Sequence, residues 1–305
     1  MFLKEMKQSK INIFKKNAKT FYFASFFFQN TKQKEVETLY NFCRYVDDIG
    51  DQEEDKKKSK QKLSSIIDNL NKKESSSFFV FEFLKLMKKY NIKTRIPIQL
   101  VEGVISDLDK VNIKTHEQLL DYSYKVAGTV GLMMCYLMNV KDKKLLEHAI
   151  ELGIAMQITN IVRDVKEDLE ANRIYIPTYI RGSCIKDYKR IIRDKKLQKQ
   201  ISVNIKELVS HSETLYDQSV KGIRLLPLKF KFVILLAANL YREIGREIIK
   251  EPLAIWNRRV FVSKKRKIII FLQTILSLFR TKKVNKKEKI QVGYLLKQFN
   301  VDYES

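Results

Sequence analysis

Apolar residues recur at helical spacing along almost the whole chain, a pattern that predicts an all-α protein. It places helices at about 10–29, 33–50, 58–71, 77–90, 97–109, 115–138, 142–170, 185–193, 197–223, 227–249 and 264–280. The interruptions have local causes. The stretch "NKKESSS" (71–77) is polar and lacks a period, and Pro97 in "RIPIQ" suits a helix start. In "NRIYIPTYIRG" (172–182) Pro177 pushes its predecessor out of helical geometry, and Gly182 follows. "EPLAIWNRR" (251–259) is a further break. No fixed-period repeat or linker divides the chain, so it reads as one domain over 1–305, with 264–305 as a basic C-terminal helix and tail.

Composition narrows this only in part. The 305 residues are 45% hydrophobic, enough for a large core, and 9 Gly with 4 Pro leave hairpin turns scarce. A formal charge of +24 suits a polyanionic partner: nucleic acid, an anionic bilayer or a phosphorylated substrate. General lysine usage is the competing explanation. The lysines are spread over every segment, and neither zinc-finger spacing nor a basic zipper is visible, so nucleic acid is not an expected partner.

Cys43, Cys135 and Cys184 are unclustered and suggest a reducing, cytoplasmic setting. The start "MFLKEMKQSKINIF" lacks the apolar core of a signal peptide. The longest apolar run, "IIIFLQTILSLF" (268–279), is too short to span a bilayer. Its lysine-rich flanks suit a helix lying on the inner face of a membrane, while its length favours an ordinary core helix with a solvated basic end.

Against this basic background, "NFCRYVDDIGD" (41–51) sets Asp47, Asp48 and Asp51 close together. At about 100° per residue, Tyr40, Arg44, Asp47 and Asp51 fall within roughly 60° of one another, with Asp48 to one side. Carboxylates four residues apart cost a few tenths of a kcal/mol on an exposed helix, and Gly50 costs about 1 kcal/mol more than Ala. Something must offset both. A second row answers it. "GIAMQITNIVRDVKEDLEANRIYIP" (153–177) is apolar nearly all round its first turns, yet Gln157, Asn160, Asp164 and Asp168 align within about 80°.

A polar row on a helix fit for a core must face a cavity or ligand, because unpaired buried carboxylates are very costly. Two facing rows make a hard-oxygen cage suited to Mg²⁺, with Mn²⁺ as the alternative. Such an ion takes one or two carboxylates and completes its shell with water and phosphate oxygens. Arg44 and Arg163 would then grip the same phosphates. Two helices with solvated acidic faces are the plainer reading, weakened by the presence of both rows.

At these residues the chain resembles the squalene/phytoene synthase family of head-to-head prenyl synthases. The likeness runs through "KTFYFAS" (19–25), "LYNFCRYVDDIGD" (39–51), "LVEGVISDLD" (100–109), "YSYKVAGTVGLMM" (122–134) and the segment 153–177. It continues in "YREIGREI" (241–248) and "NRRVFVSKKRKI" (257–268). Within the family the middle segments are most similar to bacterial phytoene synthases; relatives using C15 substrates, and a non-catalytic assembly relative, are the alternatives.

The resemblance implies a single helical bundle around a central cavity, of the isoprenoid synthase (class I terpenoid synthase) type. It implies two prenyl diphosphate substrates and no NADPH. Asp47, Asp51, Asn160, Asp164 and Asp168 would hold the metal. Asn17, Lys19, Thr20, Tyr40, Arg44, Gln157, Arg163, Arg173 and Tyr241 would bind substrate. Tyr122 would stabilise cations or relay a proton. Asn17 stands where some relatives carry His. The small residues Ala127, Gly128 and Gly131 either leave room for a prenyl chain or let helices pack closely. His116, His148 and His211 share no metal spacing.

Overall fold

The computed structural model describes residues 30–52, 55–177, 179–180, 183–184 and 188–278. The helix expected at 10–29, with Asn17, Lys19 and Thr20, lies outside them. Helix α1 spans Asn30–Gln52, α2 Lys56–Lys72, α3 Phe78–Tyr90 and α4 Arg95–Ser106. Then come α5 (His116–Ser123), a π-helical turn (Tyr124–Gly128) and α6 (Thr129–Leu137). Helix α7 spans Lys143–Arg163 and α8 Val165–Glu170. A two-residue antiparallel pair, β1 (Tyr179–Ile180) with β2 (Ser183–Cys184), precedes α9 (Tyr188–Ile191). Helices α10 (Lys195–Ile223), α11 (Leu228–Lys250) and α12 (Lys264–Leu278) complete the described chain.

The helix starts are fixed by side chains that satisfy otherwise orphaned amides. Asp55 accepts from the amides of Lys57 and Lys58, Thr115 from Gln118, Asp142 from Leu145, and Asp194 from Lys196 and Leu197. Lys73 and Asn91 close α2 and α3 in the left-handed region.

Two expected helices are interrupted. The stretch expected as one helix over 115–138 widens into the π turn, where the Thr129 amide bonds the Tyr124 carbonyl five residues back. Tyr124 is fully buried there and donates its hydroxyl to Gln99. The stretch expected over 142–170 breaks at Asp164 (φ −101°, ψ 13°). That break re-aims the end of the second acidic row.

Helix α7 is the central element, packed by α10, α11, α6 and the π turn. Its buried residues include Leu146, Ile150, Ile154, Ile158 and Val162. A Cβ on Gly153 would lie 2.4 Å from the Ala127 carbonyl oxygen, and one on Gly131 would lie 2.4 Å from that of Ala149. Glycine is therefore what lets α7 cross the π turn and α6 so closely. Among the described residues no helix is long and apolar enough to cross a membrane.

Candidate active site

The two acidic rows meet. The end of α1 brings Asp47 and Asp51, and the α7–α8 junction brings Asp164 and Asp168, to one polar cavity of about 230 Å³. Gln157 and Asn160 line it from α7, Arg173 and Tyr175 from the segment after α8, and Asp107 and Tyr122 from the ends of α4 and α5. Five aspartates and two arginines, Arg44 and Arg173, share this wall.

The charges are only partly balanced by the protein. Arg173 Nη1 lies 3.0 Å from Asp51 Oδ1. Asp164 is held by Arg163 and, through two contacts of 3.1 Å, by Arg259. Arg44 turns back to Asp48 at 2.5 Å, yet its Nε is buried without a protein partner. Burial pushes the Asp47 carboxyl up to about 7; Arg44 opposes this, and Asp51, Asp48 and Asp107 add to it. Burial likewise lifts Asp168 to about 7, with Asp164 adding and Arg173 opposing.

Asp107 forms a second polar knot. It accepts from the Tyr122 hydroxyl at 2.8 Å and from the Tyr175 hydroxyl at 2.9 Å, and the two rings stack with centroids 4.8 Å apart. Burial raises its carboxyl to about 6 even though both hydroxyls hold it down. The Tyr122 hydroxyl is itself held well above the ordinary phenol range, by burial and then by the Asp107 charge.

These residues fit a hard divalent cation. Five carboxyl groups meet around one small cavity, and burial with mutual repulsion raises three of them, which a bound cation would relieve. Among the described residues no three acidic, Cys or His side chains form a ready-made cage. Mg²⁺ needs none, since one or two carboxylates with water and phosphate oxygens suffice. Arg44 lines the same cavity, and its buried Nε is left without an acceptor.

A second cavity, of about 300 Å³, adjoins the first and shares Val126, Gln157 and Asn160 with it. Its walls are largely apolar, including Leu39, Met134, Leu152 and Ile234. Ala127 and Gly131 line it as well, so close packing and room beside the helix are both true of them.

Of the residues singled out from sequence, Arg44, Asp47, Asp51, Tyr122, Gln157, Asn160, Asp164, Asp168 and Arg173 all line the polar cavity. Tyr40 and Tyr241 instead line the apolar one, and burial pushes the Tyr40 hydroxyl up to about 12. Arg163 acts on the site through Asp164. Asp107, Tyr175 and Arg259 went unassigned. Each lies inside a stretch singled out from sequence: Asp107 in "LVEGVISDLD", Tyr175 in 153–177 and Arg259 in "NRRVFVSKKRKI".

Comparison with known proteins finds relatives over most of the chain. The family model described as squalene/phytoene synthase matches residues 14–266. A phytoene synthase of Rhodobacter capsulatus is 30% identical over 268 residues, covering 85% of this chain and 79% of that protein. A 15-cis-phytoene synthase of Enterobacter agglomerans is 28% identical over 269 residues, covering 84% and 90%. Among solved structures, a ligand-bound dehydrosqualene synthase superposes with a TM-score of 0.76 at 27% identity, covering 91% of this chain and 99% of that one. A squalene synthase of Alicyclobacillus acidocaldarius, at 20% identity and TM-score 0.69 over 80% of this chain and 93% of that one, shares the all-α fold.

Proposed function

The chain belongs to the squalene/phytoene synthase family, and on that premise we propose that it joins two geranylgeranyl diphosphates head to head into 15-cis-phytoene. The observation that carries this reading is the junction of two cavities. A carboxylate-lined cup suited to diphosphates shares Val126, Gln157 and Asn160 with an apolar cavity suited to prenyl chains.

In this reaction one diphosphate leaves with the electron pair of its C–O bond. The double bond of the second substrate attacks the allylic cation, and loss of a proton closes a cyclopropane ring. The second diphosphate then leaves, the carbons rearrange, and a second proton is lost. No hydride enters, so no NADPH is required. Mg²⁺ or Mn²⁺, held by Asp47, Asp51, Asn160, Asp164 and Asp168, would supply Lewis-acid stabilisation of the departing diphosphate. Arg44 and Arg173 would donate to the same oxygens, while Arg163 and Arg259 orient Asp164. The apolar walls exclude water from the cation. Tyr122, hydrogen-bonded to Asp107, is the group poised to move a proton.

A second reading is a farnesyl-using enzyme, favoured by the close superposition with the dehydrosqualene synthase. Incubation with Mg²⁺ and either farnesyl or geranylgeranyl diphosphate, with and without NADPH, separates them by product mass. The expected result is phytoene from the longer substrate, independent of NADPH. A hydrocarbon formed only from farnesyl diphosphate, or none at all, overturns the phytoene reading.

We also propose peripheral membrane contact through α12. Its buried side carries Ile270 and Thr274, while Ile268, Leu272 and Leu276 are exposed near Lys264, Lys265 and Lys267. Sedimentation with anionic phospholipid vesicles tests this, and a chain left wholly in the supernatant contradicts it.

A further inference from the structure

We infer that His148 is the rigid end-stop of the apolar cavity and sets the length of prenyl chain that the cavity accepts. The inference rests on reading that cavity as the prenyl tunnel. Helix α7 lies along it. Gln157 and Asn160 line both cavities and so mark the end next to the diphosphate cup. His148 lines the apolar cavity from the same helix, about 13 Å beyond Gln157 at 1.5 Å per residue, and Leu145 lines it a little under one turn farther on. The neighbouring helices run in matching order: α1 places Tyr40 nearer the cup and Val36 beyond it, and α11 does the same with Tyr241 and Ile234. The remote end is lined by Met138, Leu145, Ile223 and Leu226 together with His148.

His148 differs from those aliphatic neighbours in being locked. Its Nδ1 lies 2.7 Å from Glu151 Oε2. Glu151 is 2% exposed, and its other oxygen accepts from Gln218 Nε2 at 2.9 Å. A buried carboxylate is tolerated only when its oxygens are paired, so the cluster holds the ring in one orientation. Helix α10 backs the ring. A Cβ on Gly222 would lie 2.5 Å from His148 Cβ and 2.8 Å from its Cδ2. The ring is backed by α10 at Gly222, and the far end of a longer prenyl chain meets a fixed wall. Filling an apolar wall needs no buried Glu–His–Gln cluster, whereas a sharp length limit needs a wall that does not yield.

The test uses inert prenyl thiolodiphosphates of three lengths, C15, C20 and C25, with Mg²⁺, and compares their Kd values in the parent and in His148→Ala. Truncation is expected to shift the binding ratio toward the longer chain by about tenfold or more, the usual effect of room for extra methylenes. Glu151→Gln keeps the ring but weakens its anchor, and is expected to give a smaller shift in the same direction. If His148→Ala does not melt cooperatively, His148→Ala with Glu151→Gln replaces it, since that pair leaves no unpartnered charge. A folded variant whose length ratio stays within about twofold of the parent overturns the end-stop. Turnover of the parent is read separately. A length shift in a chain that makes no hydrocarbon supports the end-stop and defeats the phytoene reading; normal turnover without a shift defeats the end-stop alone.

Discussion

Arg173 reaches Asp51 at 3.0 Å across a sequence separation of 122 residues, joining the segment after α8 to the first acidic row. The Asp51 side chain is 52% exposed, so solvent screens the pair and its worth to stability is small. Its position on the cavity wall suits exchange, with Arg173 passing from Asp51 to a diphosphate oxygen. Arg173→Ala is therefore expected to change stability by less than about 1 kcal/mol. It should raise the KM for prenyl diphosphate by about tenfold or more, as loss of a charge-assisted hydrogen bond implies. Urea denaturation and steady-state kinetics read the two effects apart. A large stability loss with unchanged KM would contradict this role.

Tyr122 and Asp107 act as one unit if the hydroxyl moves a proton. Tyr122→Phe and Asp107→Asn are each expected to lower kcat by about 10²-fold, and the double variant by little more. Losses that multiply would show two independent roles. Tyr122→Phe also strips one donor from a carboxylate with little access to water, an expected cost of about 1–3 kcal/mol.

The raised carboxyls make a pH prediction with a definite sign. Burial raises the Asp47 and Asp168 carboxyls to about 7 in the fold, well above the ordinary aspartate value of 3.8, so the native state holds protons that the unfolded chain releases. Their contribution is fully present below about pH 4 and is lost as pH rises through about 7. In metal-free protein, the difference in Tm between Asp47→Asn and the parent should grow from pH 5 to pH 8 in favour of the variant. Mg²⁺ at pH 8 should stabilise the parent more than the variant. A difference that does not vary with pH would show that Asp47 is not held protonated by its surroundings.

Much of this molecule was legible in its sequence because helices announce themselves locally. The rows Asp47/Asp51 and Asp164/Asp168 follow from spacing alone, and they do face one cavity. The π turn at Tyr124–Gly128 was not legible: the apolar spacing runs on through it, and the Tyr124 hydroxyl's acceptor, Gln99, lies on another helix. Asp107, Tyr175 and Arg259 were missed too. Each lies outside the helices, where no periodic row can point to it, and gains its meaning from a partner distant in the chain. Gly50 shows the complementary case. Its helix penalty was visible, but its cause is contact, since a Cβ there would lie 2.7 Å from Val104 Cγ1. His148 had no metal spacing to flag it, and only the packing of α7 against α10 reveals its place at the tunnel end.

The central claim is that the facing carboxylates hold prenyl diphosphate through a divalent cation. Calorimetric titration of inert geranylgeranyl thiolodiphosphate into the parent, Asp47→Asn and Asp168→Asn, with and without Mg²⁺, tests it most directly. The parent should bind tightly only with Mg²⁺. Both variants should lose at least about 100-fold in affinity while keeping their far-ultraviolet helical signal, as removal of a charged ligand to the site demands. Equal affinity with and without the metal, or variants that bind as the parent does, would contradict it.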